Sequence, residues 1–297
     1  MKKLARWRYV FVAAMLAFAG EGYASSINAV LAQSGLKVDI GKAALVFAKE
    51  IFPEIDIDKY SADIDRMASQ VHRLNAGRED PEMRVSALNT VLYRRERIAY
   101  DHSKDAHIRR ENRFLNGILE TRKGTCVTMP MLYLAVAQRL GYPIYPVAAP
   151  DHLFLRYVLP NGNYYNIEAT GEGGQSPDEA YIKEFGVKAR ALQMGGYMRT
   201  MTHREFLADM LLENATELSR QAKYDKAIEY LERAIIINPK FPDYYYALGT
   251  LYSTKGRNST PSEAGRYETK ARYLIRKSQE MGFQLNSLSD YQRRVQK

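Results

Sequence analysis

Three side chains in this sequence are of the types that make a cysteine nucleophile. Cys126, the only cysteine, sits in Arg122-Lys123-Gly124-Thr125-Cys126-Val127-Thr128. His152 opens an expected strand in Asp151-His152-Leu153-Phe154-Leu155-Arg156, and Glu168 follows in Tyr165-Asn166-Ile167-Glu168-Ala169-Thr170. A thiol at a helix start, an imidazole, and an acid or amide able to orient that imidazole are the parts needed for nucleophilic acyl transfer. Each also has a plainer reading. A lone cysteine beside an apolar helix usually packs a core, a strand histidine is usually hydrogen-bonded in place, and an acid usually faces solvent. What separates the two readings is whether the elements of the chain bring the three together.

The segment Met129 to Leu140 is apolar almost all round, which marks a buried helix. Proline is tolerated only in a helix's first turn, so Pro130 keeps this helix from starting much before Val127. Cys126 therefore falls at or just before the amino end, where unpaired N–H groups and the helix dipole favour a thiolate. After Gly141-Tyr142-Pro143 the pattern turns to strands: Ile144 to Ala148, then two that flank Leu159-Pro160-Asn161-Gly162-Asn163. A two-residue Asn161-Gly162 loop would put His152 and Glu168 on opposite faces. A three-residue Pro160-Asn161-Gly162 loop with Gly162 left-handed sets Phe154 opposite Glu168, His152 opposite Thr170 and Asn166 opposite Arg156. His152 and Glu168 are then diagonal neighbours on one face, within side-chain reach. Proline at the first loop position favours this second form.

From Ile27 to Arg122 the sequence reads as mostly helical. Ala43, Leu45, Val46, Ala48 and Ile51 fit one helix face; Ile64, Met67, Ala68, Val71 and Leu74 fit a second; Val85, Leu88, Val91 and Leu92 fit a third. Pro53 and the run from Gly77 to Pro81 separate them. Phe114, Leu115 and Ile118 begin a short helix leading to Gly124, and Gly171-Glu172-Gly173-Gly174 is a flexible stretch placed to border the site. Ser176-Pro177-Asp178-Glu179 has the form of a capping box opening a short helix that stops before Gly186. A second box, Thr202-His203-Arg204-Glu205, opens a long helical region. There, Tyr224, Ala227, Leu231, Ala234 and Pro239 fall at the offsets of the second helix of a tetratricopeptide repeat. Tyr245, Leu248, Gly249 and Tyr252 match the first helix of the next repeat, and Ala271 and Ile275 its second, after an insertion around Arg257 to Gly265. Isolated repeats bury their faces poorly, so this array should pack on the preceding domain.

The first residues read as an export signal. Lys2, Lys3, Arg6 and Arg8 precede an apolar run, Tyr9 to Gly20, that is too short to span a bilayer comfortably, and Gly22-Tyr23-Ala24 follows. Cleavage is expected after Ala24; an uncleaved anchor is the alternative, opposed by Glu21 at the end of the apolar run. No cysteine lies near the cleavage site, which excludes a lipoprotein and leaves one thiol, Cys126, in an oxidising compartment. Removing four basic residues and one acid with the signal takes the net charge from +9 to +6. The runs Arg94-Arg95-Glu96-Arg97 and Arg109-Arg110-Glu111 include acids and no aromatic platform, so they read as solvated helix faces rather than a nucleic-acid surface. His72, His102, His107 and His203 show no partner pattern and read as surface residues. One cysteine and scattered histidines lack metal-ligand spacing, and there is no phosphate-binding glycine loop, so no metal and no cofactor are expected.

Ala87-Leu88-Asn89, Phe114-Leu115-Asn116, the Arg122 to Cys126 run, Leu140-Gly141-Tyr142-Pro143, His152 and Asn166-Ile167-Glu168-Ala169-Thr170 together resemble the transglutaminase-like superfamily. The similarity covers roughly Ala87 to Gly174 and is strongest to the bacterial branch, where tetratricopeptide repeats often follow the core. The resemblance implies an α+β, papain-like fold: a cysteine-bearing helix packed on an antiparallel sheet that carries the histidine and the acid, followed here by an all-α tetratricopeptide-like region. It implies Cys126 as nucleophile, His152 as base and Glu168 at the acid position. Two features depart from the family pattern. The acid is usually aspartate, which leaves Asn166 as another orienting group, and some bacterial members lack the cysteine, so the scaffold can serve without chemistry. The implied reaction is attack of the thiolate on an amide or ester carbonyl, protonation of the leaving amine by His152, and resolution of the thioester by water or an amine. The oxyanion would rest on the Cys126 N–H and a second donor, for which Asn116 is a candidate; otherwise an asparagine there is a helix cap.

The expected organisation is a signal at residues 1–24, a transglutaminase-like cysteine domain at 25–201, tetratricopeptide-like repeats at 202–285 and a tail at 286–297. Hydrolysis by a periplasmic or secreted protease or amidase is expected ahead of crosslinking, on a protein or peptide substrate, with a protein partner delivered through the repeats. The other reading is a non-catalytic binding module in which core and repeats form one interaction surface.

Overall fold

A computed structural model describes residues 26–33 and 38–284; the expected signal and tail lie outside the described residues. Helices come first: α1 (Ile27–Ala32), α2 (Ile40–Lys49), α3 (Ile57–Asn75) and α4 (Pro81–Asn89). Each starts on a side chain that accepts a backbone N–H, from Ser26, Asp39, Asp56 and Asp80 in turn. The three apolar faces read from the sequence are buried, apart from Leu74, which is partly so. α4 runs into a π-helical stretch, Thr90–Arg95, which apolar spacing alone does not separate from an α-helix.

A short parallel pair, β1 (Ala99–Tyr100) with β2 (Lys123–Gly124), brackets α5 (Leu115–Thr121). A Cβ at Gly124 would lie 2.5 Å from Ile118 Cδ1 and 2.8 Å from Met129 Cγ, so only glycine lets the chain pass here. α6 (Thr128–Arg139) begins two residues after Cys126, as Pro130 requires, and is buried from Thr128 to Ala137. It packs on α2, α3 and β3 (Ile144–Ala149). With β4 (His152–Val158) and β5 (Tyr164–Ile167), β3 forms an antiparallel sheet in chain order. β4 and β5 pair Leu155 with Ile167 and Arg156 with Asn166, and Gly162 has φ +85°. Leu159 N donates to Asn163 O at 2.7 Å, closing the three-residue form of the loop. Extending that register places Phe154 opposite Glu168, and the diagonal relation of His152 to Glu168 follows.

α7 (Asp178–Glu184) and α8 (Ala189–Met194) lead away from the sheet. The capping box expected at Ser176 does not form; the residue before α7 is Pro177, with no side-chain cap. Asp178 instead accepts from Arg156 at 2.6 Å, and Arg156 is 3% exposed. A buried guanidinium needs a counter-charge more than an exposed helix end needs a cap. The box at Thr202 forms as read, with Thr202 and Glu205 capping α9 (His203–Arg220) reciprocally.

α10 (Tyr224–Ile237), α11 (Pro242–Arg257) and α12 (Pro261–Glu280) complete two helix pairs after the core. A Cβ on Gly249 of α11 would come within 2.8 Å of Ile275 Cγ1, which accounts for glycine at the closest approach to α12. The insertion resolves into a turn and the capped start of α12, where Thr260 and Glu263 form another box. α9 joins repeats to core: Asn214 Nδ2 donates to Phe47 O at 2.8 Å, and His203 Nε2 bonds Ile144 O at 3.0 Å. His203 is thus a half-buried joint rather than a surface residue, stacked on Tyr145. His107 is likewise half-buried, bonded to Tyr100, and burial pushes its pKa down to about 4. The molecule is an α+β core followed by an all-helical tetratricopeptide-like region, with one apolar core running through both. Among the described residues no helix is long and apolar enough to cross a membrane.

Candidate active site

Cys126 stands in a tight turn between β2 and α6. Thr125 N donates to Thr128 Oγ1 at 3.1 Å, and Met129 N donates to Thr125 O at 3.0 Å. The hydroxyls of Thr125 and Thr128 both donate to Asn112 O, at 3.2 and 3.3 Å, and Asn112 donates to Asp101 at 2.7 Å. Burial would raise the Asp101 carboxyl, but bonds from Ser103 and Asn112 and the Arg109 charge outweigh it and hold the pKa at about 2. The thiol turn therefore rests on a charged, hydrogen-bonded network. Cys126 is 8% exposed, with Sγ 3.8 Å from Asp151 O. Asp151 reaches that position in a left-handed turn at φ +56°, a conformation aspartate tolerates.

His152 opens β4, and its Nε2 lies 2.7 Å from Glu168 Oε2. Cys126 acts on the same ring as a hydrogen-bonding neighbour. Burial would lower the imidazole pKa; the Glu168 carboxylate, helped by Cys126, overrides this and raises it to about 10. Glu168 moves the opposite way. Burial would raise its carboxyl, but the His152 charge and the bonds from Thr170 hold it below the usual carboxylate range. Thr170 donates to Glu168 Oε1 through its backbone N at 2.9 Å and its hydroxyl at 2.6 Å, while Tyr181 OH donates to Oε2 at 3.2 Å. Both carboxylate oxygens are thus fixed. The imidazole stacks on Phe185, with ring centroids 4.4 Å apart and planes 9° from parallel. The carboxylate and the thiol both favour the protonated ring.

The Gly171 to Gly174 stretch does border the site, but it is pinned. Glu168 N donates to Gly174 O at 2.8 Å, and Asn89 Nδ2 donates to Gly173 O at 3.3 Å. Gly173 has φ +77°, and a Cβ there would lie 2.1 Å from Asn89 Oδ1, so no side chain fits.

Of the residues singled out from the sequence, the fold brings Cys126, His152 and Glu168 together. Asn166 is directed elsewhere: it accepts from Arg156 Nε at 2.9 Å and donates to Ser176 O at 3.0 Å and Asp178 at 2.7 Å. With its amide committed to the buried Arg156, it does not orient the imidazole. Asn116 is 4% exposed in the first turn of α5, and its Oδ1 has no hydrogen-bond partner among the described residues. Thr170, Tyr181 and Phe185 were not anticipated. For Thr170 a signal existed, since the three-residue loop set it opposite His152; the two aromatics arrive from α7 and the residue that ends it, whose positions local sequence does not fix. Among the described residues, no group of three or more His, Cys, Asp or Glu is placed to hold a metal ion.

Comparison with known proteins identifies two segments. The model of the transglutaminase-like superfamily matches residues 58–212, and that of a TPR repeat, which points to protein–protein interaction, matches residues 219–256. The chain is similar to a UPF0162 protein of Xylella fastidiosa, 23% identical over 230 residues that make up 73% of this chain and 78% of that protein. It is also similar to F-box only protein 21 of Mus musculus, 32% identical over 98 residues, 31% of this chain and 15% of that protein. Among solved structures, the crystal structure of menin revealing the binding site for Mixed Lineage Leukemia protein aligns with a TM-score of 0.44 and 13% identity, covering 91% of this chain and 73% of that one. The family model spans more than half of the 297 residues, and the chain belongs to the transglutaminase-like superfamily.

Proposed function

We propose that the protein is a cysteine-dependent acyl-transfer enzyme in which Cys126 is the nucleophile, His152 the proton carrier and Glu168 the group that orients and charges the imidazole. The observation that carries this reading is the buried His152–Glu168 pair, 2.7 Å between Nε2 and Oε2, on a ring that Cys126 also acts on as a neighbour. In the reactive form the proton shared between Cys126 and His152 resides on the imidazole, giving a thiolate–imidazolium pair, and the thiolate attacks an amide or ester carbonyl. The resulting oxyanion rests on the Cys126 backbone N–H and a second donor. His152 then protonates the leaving amine, and water, taken up on the same imidazole, hydrolyses the thioester. Hydrolysis of a protein or peptide amide is the proposed outcome, because water is the default acceptor of a thioester and needs no dedicated binding site. The test is alkylation: Cys126 should react with iodoacetamide at pH 6 much faster than free cysteine, and His152→Ala should abolish the difference. Equal rates would favour a binding module in which core and repeats offer one surface, a reading supported by the small exposure of Cys126 (8%).

Export belongs to the same proposal, with the core at 25–201 and the repeats at 202–285. Its support is the basic start and short apolar run of the first 24 residues. Trp7 is the only tryptophan, so protein recovered from the periplasm should fluoresce as tyrosine alone. Tryptophan emission from that material would overturn cleavage after Ala24.

A further inference from the structure

His152 is stacked on Phe185, and Phe185 is held from the far end of the chain. Gln284 Nε2 donates to Phe185 O at 3.1 Å and to Gly186 O at 2.7 Å. Just before it, Gly282 (φ +96°) approaches α8 so closely that a Cβ would lie 2.7 Å from the Cα, Cβ and N of Ala191. Arg190 Nε donates to Glu280 O at 3.0 Å. Further along the same segment, Tyr197 OH donates to Asp243 of α11 at 2.5 Å, and Arg199 donates to Asn238 at 2.6 Å.

The other side of this segment is tied to the catalytic sheet. Met198 N donates to Ala148 O at 2.8 Å, and Thr200 forms a bridge with Val147 of β3. Residues 185–201 therefore form a strap with the repeats on one side and the sheet on the other. The only helix within it, α8, has six residues, too short to hold its shape alone. Its geometry is set by the two surfaces that grip it.

We propose that the repeats act on the active site from within the chain: they hold the strap, and through it Phe185, as the wall that positions the His152 ring. Phe185 and Gln284 are positioning residues, since neither touches the reacting atoms. A ring free to tilt loses both the 2.7 Å contact with Glu168 and its aim at the thiol, and misplacement on the order of 1 Å costs up to about 10²-fold in rate. This inference rests on the proposed role of His152 and adds to it a source of its orientation.

The test uses the full mature chain and the pH profile of Cys126 alkylation by iodoacetamide. Gln284→Ala and Phe185→Leu should each slow the reaction about 10-fold at pH 6 and move the profile toward that of His152→Ala, whereas Phe185→Tyr, which keeps the ring, should retain the wild-type profile. Gln284 is only partly buried, so its alanine variant should melt with the wild type and report on positioning alone. A wild-type profile for Gln284→Ala, beside a clear wild-type to His152→Ala difference, overturns the strap and leaves the catalytic reading standing. Identical rates for wild type and His152→Ala remove the catalytic reading, and the strap's role with it.

Discussion

His152→Ala should slow alkylation of Cys126 at pH 6 by about 10²-fold, and Glu168→Gln by about 10-fold. A thiol with the ordinary pKa near 8.5 is on the order of 0.3% thiolate at pH 6, so an imidazolium that keeps the sulfur ionised can accelerate the reaction by roughly the inverse. Glutamine at 168 keeps the shape, but it takes the negative charge from the ring that it faces at 2.7 Å. It also replaces one of the two oxygens that accept from Thr170 and Tyr181 with an NH2 that can only donate.

The same pair gives stability a pH signature. The His152 pKa is raised from 6.5 to about 10, so its contribution is complete below pH 6.5 and lost as pH rises through about 10. The Glu168 pKa is lowered from 4.5, so its contribution is complete above pH 4.5 and lost as pH falls through the lower folded value. The melting-temperature deficit of Glu168→Gln should therefore be widest between pH 4.5 and 6.5 and narrow on either side. A deficit flat from pH 4 to pH 10, or an unchanged alkylation rate, would exclude the ion pair.

Much of this arrangement was readable in the chain because the deciding features are local. Pro130 fixed the start of the cysteine helix, since proline cannot sit deeper in it. Pro160-Asn161-Gly162 fixed the hairpin register, and a period of two residues then decided which side chains share a face. Alternation could not choose between Glu168 and Asn166, which lie two apart on the same strand face. The choice came from across the sheet, where Arg156 claims the amide at 2.9 Å. The failed cap at Ser176 has the same origin: a cap contributes about 1 kcal/mol, whereas an unpaired buried charge costs several. Phe185 and the strap were invisible because their contacts join Phe185 to Gln284, far apart in sequence.

Arg156 also defines the change with the largest expected effect on folding. Its guanidinium donates to Asn166 at 2.9 Å, Asp178 at 2.6 Å, Thr200 at 3.2 Å and Met198 O at 3.3 Å. One cation thus ties β4 to β5, to the start of α7 and to the strap. Asp178→Ala removes the carboxylate that pairs with Arg156 while leaving the guanidinium 4% exposed in its side chain, and should destabilise the fold by about 3–5 kcal/mol in urea titrations. Arg156→Met combined with Asp178→Leu should cost less than Asp178→Ala alone, because an apolar pair has no charge to desolvate. If the two sets of substitutions instead behave additively, or Asp178→Ala costs under about 1 kcal/mol, the pair is only a surface contact in energetic effect. Should the large penalty be found, alkylation of Cys126 in Asp178→Ala below its melting point should also slow, because α7 carries Tyr181 to Glu168 and leads directly to Phe185.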